Sequence, residues 1–263
     1  MQARLYASTA LSNWGEHLTS CKNALGLAST STSWGANSGK DLIDSFVTAL
    51  SSESGAQGAQ GEASVRLAGT VADSYSRGKQ LSDDDVLAIV KSKVGAGKPF
   101  ALDAHGIYVL LTSADVTLSS GFCSQYCGWH TQDSLNSSPL RYAFVGHHGQ
   151  CPDACGVEST SPNGKPAIDA TISTLAHEIT EAATDPDVNA GWFDAQGEEN
   201  ADLCSWSYGS TKTGTQQSGQ TYRYNLHEDE LSVHLRQRQQ PHGLPVLLHQ
   251  DRMTRGGQRA PYG

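Results

Sequence analysis

Apolar residues recur along this chain at two spacings, and these mark out most of its elements. Leu42, Ile43, Phe46, Val47 and Leu50 fall three and four apart, so residues 39–50 predict a helix with one buried face and Ser38 as its cap. Val86, Ile89, Val90 and Val94 repeat the pattern over 82–94, where Ser82 is the cap and Asp83, Asp84 and Asp85 occupy the first turn, the end at which the helix dipole favours negative charge. Ile168, Ile172, Leu175, Ala176 and Ile179 predict a long helix over 167–184, stopped by Asp185 and Pro186. The β-branched and aromatic run 106–112 is the strongest strand signal and 141–146 the second; 4–8 and 65–74 read as further strands. Helical faces of this kind need a sheet to cover, so the expected class is mixed α+β, with helices around a central mixed sheet.

Other stretches lack such patterning. Residues 51–61 are Ser, Gly, Ala and Gln with almost nothing bulky, which predicts a loop. From His227 onward Arg, Gln, His and Pro dominate, and 246–248 is the only compact apolar patch. The expected organisation is therefore a single domain over 1–226. Residues 227–263 read as an aberrant or disordered tail, for instance one produced by a shifted reading frame, in preference to a second domain.

Composition narrows the class. The chain of 263 residues is 37% hydrophobic and 17% charged, with a formal charge of -9 at pH 7. That balance argues against nucleic acid, which needs clustered Lys and Arg to displace counterions from phosphates. The longest apolar stretch, 106–111, falls far short of the roughly 20 residues that span a bilayer, so no membrane span is expected. Residues 1–20 do not read as a secretory signal. Cys123, Cys127, Cys151, Cys155 and Cys204 nevertheless crowd one third of the chain. Two CxxxC pairs without the spaced histidine pair of a zinc finger fit disulfides better than a zinc knuckle, and therefore an extracellular protein whose signal is missing from this sequence. The spacing leaves their connectivity open; Cys204 would need a partner, Cys21 being one choice.

The residues with most chemical content lie on the third predicted helix. In His177-Glu178-Ile179-Thr180-Glu181, His177 and Glu181 are four apart and leave the same helix face one turn from each other, as two ligands of one ion must. The zinc-peptidase helix has a second histidine at the last position and a glutamate after the first that serves as general base. Here Glu181 takes the ligand place and Glu178 the base place. A carboxylate oxygen binds zinc at nearly the same distance as an imidazole nitrogen, but it also suits calcium, so Zn2+ is the expected ion with Ca2+ as the alternative. Glu199 stands close to where one large class of zinc peptidases has its third ligand, a glutamate about twenty residues beyond the helix. Asp202 can fix the tautomer of His177 from behind, and Asp187 is the rival third ligand. His130, His147 and His148 are further candidate ligands or acid-base groups. The competing explanation is a polar helix edge that does no chemistry.

Several long stretches, in order, then carry a resemblance: GIYVLLTSADV (106–116), GFCSQYCGWH (121–130), YAFVGHHGQCPDAC (142–155), SPNG (161–164), AHEITEAATDP (176–186) and ENADLC (199–204). Together they resemble the Exordium, or phosphate-induced protein, family of plants, algae, fungi and some bacteria. The likeness is strongest over 81–204 and weaker towards the amino terminus, and Tyr224-Asn225 looks like the start of the family's closing strand. The motifs expected after it are absent, and His147 stands where the family usually has Asn. The resemblance implies secretion to the wall or extracellular space and a link to growth or nutrient responses, with no settled reaction. It carries the site onto His177, Glu178, Glu181, Glu199 and Asp202, with no counterpart for Asp187.

The leading expectation is a zincin-like domain whose HExxE helix lies under a cleft along the sheet edge. His177, Glu181 and Glu199 would hold the ion, with Glu178 as base and a peptide or wall polymer as substrate. The alternative is a non-catalytic extracellular signalling or wall-associated protein in which the same acidic cluster is structural.

Overall fold

The computed structural model describes residues 3–9, 39, 42–43, 46, 66–156, 161–188, 190–199, 201–205, 211–215, 219 and 221–225. The expected loop at 51–61, most of the helix expected over 39–50, and the tail at 227–263 lie outside them.

The four predicted strands and an unpredicted fifth, β6, form one mixed sheet in the order β2-β1-β4-β7-β6. Its members are β1 (Ala3–Thr9), β2 (Arg66–Asp73), β4 (Ile107–Leu111), β6 (Gly128–Leu135) and β7 (Ser138–Val145). β4 pairs parallel with β7, and the other pairings are antiparallel. Two short ladders stand apart, β3 (Gln80–Leu81) with β5 (Thr117–Leu118), and β8 (Thr211–Thr215) with β9 (Thr221–Asn225). The architecture is therefore mixed α+β.

β4 and β7 are buried on both faces, which is why 107–111 reads as an unbroken apolar run. Period-two alternation divides their side chains between two cores. Ile107, Val109, Leu111, Ala143 and Val145 pack with α3 (Pro166–Thr184) and with the helical residues Leu42, Ile43 and Phe46. Tyr108, Leu110, Tyr142 and Phe144 face the opposite layer, where α1 (Asp83–Lys93) contributes Val86, Ile89 and Val90. Each fully buried aliphatic or aromatic side chain contributes roughly 1.5–3 kcal/mol, so the two layers together clamp the central strands. The two amino-terminal helical regions thus lie on opposite faces of the sheet. Ser82 caps α1 as expected, accepting the Asp85 amide while the Asp85 carboxylate accepts the Ser82 amide.

β6 was not foreseen as a strand. Its outer half, Thr131 to Leu135, is mostly polar because it runs along the sheet edge, and only its first residues are buried. The turn to β7 is two residues, Asn136 and Ser137, both at positive φ (51° and 63°), the backbone form that suits a tight hairpin.

Disulfides join Cys123 to Cys151 and Cys127 to Cys155. They run between the two CxxxC motifs instead of closing each one, and tie the start of β6 to the turn after β7 and to α2 (Pro152–Cys155). Cys21 and the Cys204 side chain fall outside the described residues. No helix among the described residues is long and apolar enough to cross a membrane.

Candidate metal centre

α3 starts at a proline, and its first turn is held by Asp169, which accepts hydrogen bonds from Ser161 and from the amide and side chain of Asn163. This accounts for the SPNG segment as a structural brace. One helical turn then sets His177 above Glu181, with Glu178 beside them; Glu178 and Glu181 are buried and His177 is partly exposed.

β6 lies along this helix. Trp129 turns away to stack on Phe144 and meet Tyr142 edge-on, so the alternation directs Gly128 and His130 at α3. Gly128 permits the close approach: a β-carbon there would lie 2.7 Å from Thr174 Cγ2 and 2.9 Å from Glu178 Oε1. The third contributor is the turn around Asp202–Cys204, where Asp202 Oδ2 accepts the Glu199 amide at 3.0 Å.

Six donor-bearing side chains converge. His130 Nδ1 is 3.5 Å from Glu178 Oε2 and 3.7 Å from Glu181 Oε2, and its Nε2 is 3.7 Å from Glu199 Oε1. His177 Nε2 is 2.9 Å from Glu181 Oε1 and 3.5 Å from Asp202 Oδ1. Two donor sets result, each with ligand atoms within 4.8 Å of one another: His130, Glu181 and Glu199, and His177, Glu181 and Asp202. Glu181 belongs to both. Thus Glu181 and the expected ligands His177 and Glu199 enter the same cluster, but Glu199 lies with His130 and Asp202 with His177. Donors 2.0–2.2 Å from a tetrahedral ion stand about 3.3–3.6 Å apart, close to the longer spacings here and too far for good hydrogen bonds. Glu199 is 6% exposed and its Oε1 accepts no hydrogen bond among the described residues. The donor set therefore fits a divalent cation.

Charge in this interior is strained. Burial pushes Glu199 up to about 9, helped by the charge of Glu181, while His130 opposes the shift. Burial likewise lifts Glu181 to about 7 against the pull of His177. For His130 burial works downward, but Glu178, Glu199 and Glu181 outweigh it and raise the imidazole to about 9. His177 is raised in the same way against its burial, by Glu181 and Asp202. Burial of Asp202 is overcome by His177, which holds its carboxyl below the usual range. The metal-free cluster thus carries protons where a cation would carry charge.

The remaining candidates lie elsewhere. Arg141 holds Asp187 through two bonds of 2.9 Å, which fastens the chain after α3 to the sheet and keeps that carboxylate out of the cluster. Asp185 accepts the amides of Ala190 and Gly191, closing the turn after the helix. Burial pushes His148 down to about 4, and His147 accepts the Gly149 amide; neither belongs to the two donor sets. His130, which sequence patterning offered only as a further candidate ligand, belongs to one of the two donor sets. Its signal was the Gly-Trp-His order, a residue small enough for helix contact two places before a donor on the same strand face.

The sequence model of the family described as phosphate-induced protein 1 conserved region matches residues 27–231. The chain is 36% identical over 179 residues to Protein EXORDIUM-like 3 of Arabidopsis thaliana, covering 57% of this chain and 52% of that protein. It is 34% identical over 170 residues to Protein EXORDIUM-like 5 of the same plant, covering 56% and 46%. The chain spans about half the length of these curated relatives. No solved structure matches it.

Proposed function

Because this chain belongs to the phosphate-induced protein 1 family and gathers two imidazoles and four carboxylates at one place, we propose that it is a secreted, zinc-dependent hydrolase of peptidase type. The observation that carries this reading is the convergence of His177, Glu178 and Glu181 with Glu199 and Asp202, groups from two separate parts of the chain. Two disulfides are compatible with an extracellular setting. An antiparallel edge strand lying along the HExxE helix supports a zincin-like arrangement.

His177 and Glu181 would hold the ion, with a third carboxylate from the 199–202 segment. Zinc bound there would make a water acidic enough to attack a carbonyl near neutral pH and would polarise that carbonyl. Glu178 accepts the proton at its carboxylate, which lies 3.5 Å from His130 Nδ1. Asp202 sets the imidazole of His177 through its Oδ1. His177 and Asp202 retain 27% and 20% side-chain exposure, so substrate approaches from their side. The substrate class is a peptide or a wall polymer with a hydrolysable carbonyl.

Metal analysis of the purified protein, paired with hydrolysis of quenched fluorescent peptides, tests this. Zinc is expected in the wild type and lost in His177→Ala. Glu178→Gln should keep zinc and lose at least about a hundredfold in rate, the usual weight of a general base. Equal zinc in wild type and His177→Ala would end the ligand assignment. Zinc without hydrolysis in the wild type would turn the reading to a non-catalytic extracellular protein with a structural ion, for which the burial of Glu178 speaks.

A further inference from the structure

Glu181 has one oxygen on each side of the cluster. Oε1 lies 2.9 Å from His177 Nε2, whereas Oε2 lies 3.7 Å from His130 Nδ1. A carboxylate with its two oxygens turned to two different imidazoles has the form of a bridging ligand. From this we infer that the cluster is a two-cation site, in which Glu181 joins an outer ion held by His177 and Asp202 to an inner ion held by His130 and Glu199.

The donor inventory supports two ions over one. Glu178, Glu181, Glu199 and Asp202 bring four negative charges, and metal-bound imidazoles are neutral. Two divalent cations balance those charges when all four carboxylates are ionised; with a single one the cluster keeps protons on the others. Four carboxylates with two histidines is also the ligand composition of dinuclear carboxylate centres built on other folds.

The inner position has its own evidence. His130, Glu181 and Glu199 are 2%, 4% and 6% exposed. Glu199 Oε1 points at His130 Nε2 from 3.7 Å and accepts no hydrogen bond among the described residues, so a buried acceptor is aimed into the space between them. His130, Glu181 and Glu199 each bring a ligand atom within 4.8 Å of the other two. The two positions also differ in access. The inner one is enclosed and the outer one is open to solvent, so the inner ion sets the geometry and charge of Glu181 while the outer one meets substrate.

This inference rests on the metal-binding part of the function proposed above and is separable from it. The full-length protein, stripped with chelator, is loaded with Zn2+ or with Mn2+, and bound metal per chain is counted after desalting. Two ions are expected in the wild type, with one in His130→Gln and one in His177→Gln. Wild type loaded with Mn2+ should show the exchange-coupled electron paramagnetic resonance signal of two neighbouring ions, a readout that needs no variant to fold. One ion per chain, with an isolated Mn2+ spectrum, overturns the two-cation inference and leaves the hydrolase reading standing. No bound metal overturns both. Two coupled ions in a protein that hydrolyses nothing uphold the inference and remove the hydrolase.

Discussion

Glu199 and His130 both hold protons to about 9, the carboxyl because burial disfavours its charge and the imidazole because the neighbouring Glu178 carboxylate outweighs its burial. A group whose pKa is raised by folding stabilises the fold below its unfolded value and loses that contribution as pH climbs through the folded one. For Glu199 the loss begins near the ordinary carboxylate value, for His130 near 6.5, and both end near 9. Divalent metal acts in the opposite sense, because it binds the deprotonated donors. Chelator-treated protein should therefore melt at a lower temperature at pH 9 than at pH 6, and the rise in melting temperature on adding zinc should grow across that interval. Differential scanning fluorimetry with and without zinc checks this. A metal-free melting temperature that rises over the interval, or a zinc effect that shrinks, would contradict the assigned charges.

Between elements, the contact of β6 with α3 decides whether the cluster exists. Gly128 allows it, since an added β-carbon would sit 2.7 Å from Thr174 Cγ2 and 2.9 Å from both Glu178 Oε1 and the Phe144 carbonyl. Gly128→Ala must push the helix off the strand, and overpacking of this kind costs about 1–3 kcal/mol. Urea unfolding should show that loss, and zinc affinity should fall with it because His130 and the helix part; unchanged stability and affinity would mean the contact is looser than described. The elements themselves were readable in part. α1 and α3 were legible because their buried faces keep a strict three-and-four spacing, and β4 and β7 because both of their faces are covered. β6 was hidden because an edge strand buries only its first residues, and so its hairpin partner β7 was expected three residues too short at its start. The HExxE helix and the acidic turn were visible as a spacing. The partition of their donors was not, since it depends on how far each carboxylate reaches across the gap between α3 and the 199–202 segment.

At the scale of the molecule, the two disulfides fasten the start of the site-bearing edge strand to the turn that follows its partner. Each spans 28 residues in sequence, and closing a loop of that size removes about 3–4 kcal/mol of chain entropy from the unfolded state, with the overlap of the two loops making the second worth less. Reduction and alkylation of these four cysteines should lower the urea midpoint and weaken zinc binding together, as His130 lies three residues beyond Cys127. An unchanged midpoint, with mass spectrometry showing all four alkylated, would show that the sheet holds this edge without them. The central claim, that donors from the helix, the edge strand and the acidic turn surround a divalent cation, is reached most directly by anomalous diffraction at the zinc edge from crystals of the zinc-loaded protein. The account predicts anomalous density within about 2.0–2.3 Å of a Glu181 carboxylate oxygen and of a ring nitrogen of His177 or His130. Fully ordered side chains at this cluster with no anomalous density between them would contradict it.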